Sequence, residues 1–256
     1  MIPLKYRDDP GLEFLQFCSH EDLDPLVEIL AKDKGEDRWS ASLGGNKEFG
    51  QHRSELPVVW RLIAAEFQRF GADSFVSLLR LGEGVCYREI LTDACAQMKV
   101  PRSDEQHEIP VIEARLLSKV LTDSLEKMTP EELDEFAKSL GELAPDLRFG
   151  QNAARMAPAA LAAAVRAALA AGGFNTYRLA VIVANAVSKA ILNRGLAFAG
   201  NAALTRGIAV LAGPVGWAIS AVLTVPVFTG PAFRVTIPAT LYVAYLRQKH
   251  LNKDLL

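Results

Sequence analysis

Residues 153–171 read AARMAPAALAAAVRAALAA, alanine at most positions, broken by Met156, Pro158, Leu161, Val165, Arg166 and Leu169. Alanine gives up the least on entering a helix, so this stretch is predicted helical. Gly172-Gly173 ends it. A second apolar helix, Phe174 to Leu192, follows with two charges, Arg178 and Lys189. Residues 195–206 are rich in small side chains. From Gly207 to Phe233 there are 27 residues without a charge, and the last helix is predicted over Val235 to Lys249, with a basic end at Arg247 and Lys249.

Toward the N-terminus the pattern stays helical but becomes amphipathic. Apolar positions 12, 14, 15 and 17 predict a helix of one or two turns. Ser19 and Asp22 mark a helix start, hydroxyl as cap and acid toward the positive end of the dipole. Leu23, Leu26, Val27 and Leu30 follow at helical spacing. Residues 32–50 are charged, contain Gly44-Gly45, and read as loop with a short helix. Leu56 to Phe70 is a stronger helix, with Pro57 in its first turn, Leu62, Ile63 and Phe67 on one face, and Gly71 as its stop. Phe75 to Leu81, Tyr87 to Met98 and Pro110 to Met128 are further helices. Thr129-Pro130-Glu131-Glu132 combines a capping threonine, proline at the first helical position and a glutamate that can reach back. No useful β-alternation occurs, so the fold class is all-α.

The 256 residues and 50% hydrophobic content bury a sizeable core and exclude a disordered chain. The net charge of −2 hides a division. Residues 1–146 carry 17 basic and 29 acidic groups, a net of −12, whereas residues 147–256 carry 11 basic and 1 acidic, a net of +10. We therefore expect an acidic amphipathic helical domain over 1–146, packed with a basic, apolar, Ala/Gly-rich helical domain over 147–256. The matched charges favour one interlocked unit; the composition break at Pro145 favours two. The cations at 155, 166, 178, 189, 194 and 206 are too dilute for a polybasic lipid patch or a nucleic-acid footprint. The acidic half is their expected counterpart, with anionic lipid headgroups as the alternative.

The uncharged run has the length of a transmembrane helix. Gly213-Pro214, Gly216, Pro226 and Gly230-Pro231 interrupt it, and the piece between Pro214 and Pro226 is only roughly 18 Å long at helical rise. Two arrangements fit: a broken hydrophobic hairpin at 207–233, buried in protein or dipping into one leaflet, or a kinked span. Ala212, Gly216, Ser220 and Thr224 recur every four residues as a small-residue stripe for close helix contact. With Gly213, Pro214 and Trp217 they form the expected membrane or partner-helix contact.

Catalytic and metal motifs are missing. The three cysteines, Cys18, Cys86 and Cys95, are scattered, as in a reducing cytosol. The four histidines have no ligand spacing, and no nucleophile elbow or phosphate loop occurs. Glu66, Asp73 and Asp93 are candidate buried acids, more simply ion-paired with Arg61, Arg69 or Arg88. Trp39, Trp60 and Trp217 read as core or interface. No apolar segment follows a basic N-terminus, so no secretory signal is expected. The expected place is the cytoplasm or the cytoplasmic face of the inner membrane. No cofactor and no metal is expected, and the partner is a membrane lipid or a membrane or protein client.

Several segments together resemble the YaaW family of uncharacterised bacterial proteins. They are residues 12–23, LEFLQFCSHEDL; Trp60, Ile63, Glu66, Gln68, Phe70, Gly71, Asp73 and Ser74; Tyr87, Ile90, Leu91 and Asp93; Gly213-Pro-Val-Gly216; and residues 232–241, AFRVTIPATL, with Arg234, Thr236 and Pro238. The family is grouped with the ubiquinol–cytochrome c chaperones, helical assembly factors. The resemblance implies an all-α fold and work on membrane protein assembly; it brings no catalytic residues. Set beside the charge division, it makes a clasp between Glu66 or Asp73 and Arg234 plausible. The expectation is a non-enzymatic helical protein, membrane-associated through its apolar half. The alternatives are an assembly chaperone or adaptor for a protein client, a soluble bundle without a membrane role, and an enzyme using a buried acid. Oligomeric state stays open.

Overall fold

A computed structural model describes residues 4–33, 36–37, 42–73, 84–101, 107–126, 128–134, 137, 157–171, 173–192 and 233–255. Among them the helices are α1 (His20–Ala31), α2 (Lys47–Gln51), α3 (Trp60–Asp73), α4 (Tyr87–Gln97), α5 (Ile109–Leu125), α6 (Pro158–Ala171), α7 (Gly173–Leu192) and α8 (Phe233–Leu251). Short 3-10 turns cover Glu13–Phe17, Leu43–Gly45, Leu56–Val59 and Lys253–Leu255. Strand structure among the described residues is confined to a hairpin of two-residue strands, β1 (Lys32–Asp33) and β2 (Glu36–Asp37), within the stretch expected to be loop. The fold is all-α, as the periodicity predicts.

The local signals act as their chemistry requires. Asn46 caps α2 by accepting from the Phe49 N–H at 2.9 Å. The Ser19 hydroxyl accepts from the Asp22 N–H, and the Asp22 carboxylate accepts from the Ser19 N–H. Thr129 and Glu132 make the same reciprocal pair, with helix from 130 to 134. Gly173 adopts φ +68°, a left-handed backbone glycine takes without strain. There α6 and α7 turn by 116°.

One expectation is corrected at Gly71. It does not stop α3, which runs on to Asp73. A Cβ at Gly71 would stand 2.5 Å from Ile90 Cγ1 and 2.7 Å from Val85 Cγ2. The residue is needed for the approach of α4 to α3, a tertiary demand invisible in local sequence. The predicted helix 75–81 and the stretch 193–232 lie outside the described residues.

The centre of the molecule is α8. Every residue from Val235 through Gln248 is buried, although this helix begins 233 residues into the chain. It packs on α7 most extensively and also on α1, α3, α4 and α5. It is thus buried on every side, and its polar side chains Thr236, Thr240, Arg247 and Gln248 are buried with the apolar ones. Its partner α7 runs antiparallel to it. Tyr177, early in α7, stacks on Tyr245, late in α8, with centroids 6.3 Å apart. Gly173 and Thr176 line the same groove as Gln248 and Leu251. The end of α7 and the beginning of α8 therefore lie at one end of the pair, and the chain between 192 and 233 departs from and returns to that end.

No single helix among the described residues is long and apolar enough to cross a membrane. The segments Ala159–Ala171 and Asn175–Asn185 satisfy length and composition only as a sharply bent pair. Leu179 through Val183 are fully buried in the shared core.

Candidate functional site

The charged residues of the two halves meet at the C-terminal end of α8. Arg247 reaches from α8 to Glu113 on α5, its Nε donating to Oε1 at 2.9 Å and to Oε2 at 3.0 Å. Glu113 is fully buried. The Tyr87 hydroxyl, at the start of α4, donates to Glu113 Oε1 at 2.6 Å. Arg247 Nη2 donates to the Gly11 carbonyl, and the guanidinium lies over the Phe14 ring at 4.3 Å. Beside this pair Lys249 bonds Asp22, and the Tyr242 hydroxyl donates to the Asp22 carbonyl at 3.2 Å.

The N-terminal segment is held in the same junction. The Asp9 carboxylate, buried, accepts from the N–H of Gly11 and of Tyr87. Cys86 at the N-cap of α4 supplies no side-chain cap. Asp9 thus serves from far away in sequence as the acid at the positive end of α4. The Gln68 amide is satisfied from both sides by one residue: the Arg7 N–H donates to its Oε1 at 3.0 Å, and its Nε2 donates to the Arg7 carbonyl at 2.8 Å.

Burial pushes the Glu113 carboxyl upward, while Arg247 and the Tyr87 hydroxyl pull it back. Burial, the largest single effect, works against the Arg247 charge, but Glu113 and Tyr87 together outweigh it and hold the guanidinium above its usual range. We read the pair as ionised, because arginine keeps its proton in proteins and both the Arg247 Nε and the Tyr87 hydroxyl donate to the Glu113 carboxylate. The Tyr87 phenol is pushed well up, by burial first and the Glu113 charge second. This cluster is therefore a clasp with its polar groups committed to one another. It joins the N-terminal segment, α4, α5 and α8.

The family-motif residues tie down separate pieces instead of converging. Trp60 is buried and takes the Tyr6 ring edge-on at 5.2 Å. Glu66, fully buried, accepts from the Ser42 N–H at 2.9 Å and from Arg69 at 2.7 Å. Arg234 is exposed on the first turn of α8, and Glu66 pairs with Arg69 on its own helix. Of the clasp expected between Glu66 or Asp73 and Arg234, the Glu66 form is therefore not found, and the Asp73 side chain is not among those described. The halves are joined instead by Glu113–Arg247. An i,i+3 partner is nearer to Glu66 than any residue of α8 needs to come. Thr236 is buried with its hydroxyl unpaired among the described residues, and Pro238 lies buried inside α8, which continues through it. Asp73 ends α3; Ser74, Ala212, Gly213, Pro214, Gly216, Trp217, Ser220 and Thr224 lie outside the described residues, as does Trp39.

Asp93 lines a cavity of about 650 Å³ between α4 and α5, with Arg88 and Arg115 on the same wall. Burial and then Glu89 raise its carboxyl. Glu66 does not line that cavity, so Glu66 and Asp93 do not converge there. Burial pushes the Cys18 and Cys95 thiols up to about 12. Among the described residues no group of three or more His, Cys, Asp or Glu is placed to hold a metal.

Sequence reasoning missed Asp9, Glu113 and Arg247 as a unit and quoted Tyr87 only as part of a motif. A signal existed for Glu113: it lies three and four residues before Leu116 and Leu117, on the apolar face of α5.

An all-α chain held together by its last helix is the class this architecture defines, and the ubiquinol-cytochrome C chaperone family model matches residues 58–241. A domain of unknown function, DUF3944, matches residues 6–39. The chain belongs to the UPF0174 family, which includes the YaaW proteins. It is 43% identical over 254 residues to a UPF0174 protein of Helicobacter pylori (strain J99 / ATCC 700824), covering 98% of this chain and 96% of that one. It is 35% identical over 256 residues to UPF0174 protein YaaW of Escherichia coli (strain K12), covering 96% of each. The kinship thus includes the alanine-rich middle, where no family motif was quoted. No solved structure matches the chain.

Proposed function

We propose that this protein is a non-enzymatic helical factor that works at a membrane, its packed body presenting the uncharged segment 207–233 to the bilayer. The carrying observation is the antiparallel pairing of α7 and α8. It brings residues 192 and 233 to one end of the body, so the uncharged run belongs to a single excursion from that end. Exposing such a run to water costs about 25 cal/mol for each Å² of apolar surface, so the segment needs lipid or protein to cover it. A second reading, a chaperone or adaptor holding a client helix on the small-residue stripe, draws on the match to the chaperone family model.

The test is membrane retention of the full chain against a variant in which residues 196–230 are replaced by a short Gly/Ser linker. Because residues 192 and 233 lie at one end of the α7–α8 pair, the linker is expected to close the gap without disturbing α7 and α8. Cells producing each at low level are fractionated, and the membranes are washed with high salt and with alkaline carbonate. The expected result is retention of the full chain through both washes and release of the shortened chain, whose melting stays cooperative. A full chain recovered entirely in the soluble fraction as a monodisperse species would overturn the membrane reading.

A further inference from the structure

The end of the molecule opposite the excursion carries a groove that the clasp does not use. It lies between α5, the end of α6, the start of α7 and the last turn of α8, and encloses about 560 Å³. Cavities of roughly 300–1,000 Å³ are the size that takes small organic ligands. Its apolar wall includes Val111, Leu169 and Leu251. Val111 and Leu251 are 42% and 59% exposed, and they are the two of the four exposed large hydrophobics among the described residues that share one groove.

Two features make this a site for an anion and not merely a seam between helices. First, Arg115 and Arg166 both line the groove, and no carboxylate does so among the described residues. Arg115, which also borders the cavity that Asp93 lines, has the His107 ring nitrogen at 3.1 Å as its side-chain hydrogen-bond neighbour among the described residues, and Arg166 is exposed and without an ion pair among them. Second, Gln248 lines the groove, and its side-chain amide makes no hydrogen bond among the described residues, which leaves it open to a partner that enters the groove.

We propose that the groove binds a single-chain anionic amphiphile, an acyl chain bearing a carboxylate or phosphate head. The guanidiniums of Arg115 and Arg166 take the head, the Gln248 amide donates to it, and the chain lies along Val111, Leu169 and Leu251. A diacyl lipid exceeds the volume. A free inorganic anion leaves the exposed apolar wall unused. The site stands independently of the membrane reading, because it involves nothing between residues 192 and 233.

The experiment is calorimetric titration of the full chain with dodecanoate and with dodecyl phosphate, each below its self-association concentration. Hexanoate, inorganic phosphate and dodecyltrimethylammonium are the controls. The expected result is one-to-one saturable binding of at least one twelve-carbon anion, weaker binding of hexanoate and phosphate, and none of the cation. Whichever anion binds more tightly identifies the head. Arg166→Glu, at an exposed position, is expected to keep the far-UV spectrum and melting temperature and to weaken binding by about tenfold or more. Gln248→Leu is expected to weaken binding without loss of stability, which separates a ligand contact from a structural one. Absence of saturable binding, equal affinity for the trimethylammonium compound, or unchanged affinity in both Arg166→Glu and Arg166→Gln would overturn the proposal.

Discussion

Replacing Glu113 by leucine should be among the most damaging single changes in this protein. The substitution removes both carboxylate oxygens that Arg247 engages at 2.9 and 3.0 Å, and the acceptor of the Tyr87 hydroxyl. Arg247 is buried and keeps its charge, so the guanidinium is left with the Gly11 carbonyl and the Phe14 and Tyr87 rings. Breaking a buried pair from one side costs about 3–5 kcal/mol. For a chain of this length that is a fall in melting temperature of roughly 6–20 °C. It lowers the folded-to-unfolded ratio by a factor between about a hundred and a few thousand. The pair itself contributes far less than that, since its mutual attraction mainly offsets its desolvation. Glu113→Leu combined with Arg247→Met should therefore recover most of the loss, with a coupling energy of about 2 kcal/mol or more in the double-mutant cycle. Urea titrations followed by far-UV circular dichroism on all four proteins measure this, provided the slopes agree. A cost under about 1 kcal/mol for Glu113→Leu, or additive losses in the double variant, would refute the clasp as the joint between the N-terminal segment, α5 and α8.

Other outcomes follow from separate contacts. Gly71→Ala should destabilise by about 1–3 kcal/mol in the same titration, because its methyl would overlap Ile90 and Val85 across the α3–α4 contact. Thr129→Ala should cost about 1 kcal/mol, the worth of a helix cap, and protection of the amides following 129 in hydrogen exchange should fall with it. The His250 imidazole is held below its usual range by burial and then by Lys253 and Arg247. A base lowered by folding stabilises the native state above its unfolded pKa, near 6.5, and that contribution is lost as pH falls through the lowered value. The melting temperature of the wild type should accordingly drop more than that of His250→Gln on acidification below about pH 6.5. With their thiols pushed up to about 12 and buried, Cys18 and Cys95 should resist iodoacetamide at pH 8 in the native protein and react fully in denaturant, read by peptide mass.

The division between what was legible and what was not follows the range of the interactions involved. Alanine density at 153–171 specified α6, and the capping residues at Ser19 and Thr129 specified helix starts, because each of these effects acts within one or two turns of chain. Gly71 was misread as a stop because its local meaning and its tertiary use coincide in the residue type alone. Only packing against Ile90 and Val85 distinguishes them. The motif at Trp60, Glu66 and Gln68 was visible as a pattern, but it acts on Tyr6, Ser42 and Arg7, residues whose pairing with α3 has no periodic signature.

The opposite charges of the two halves were plain in the composition, and they do meet. Which charges meet was not, since any of the acids before residue 147 offered a partner. The sequence by itself determined an all-α chain, its helix starts, its charge asymmetry and its family motifs. Tertiary structure alone decided that the last helix is the centre of the core, that Glu113 and Arg247 form the joint, and that α7 and α8 lie antiparallel. Helix formation is governed by neighbours a few residues apart, whereas the choice of one buried partner among many depends on which surfaces fill space together and leave no charge unpaired.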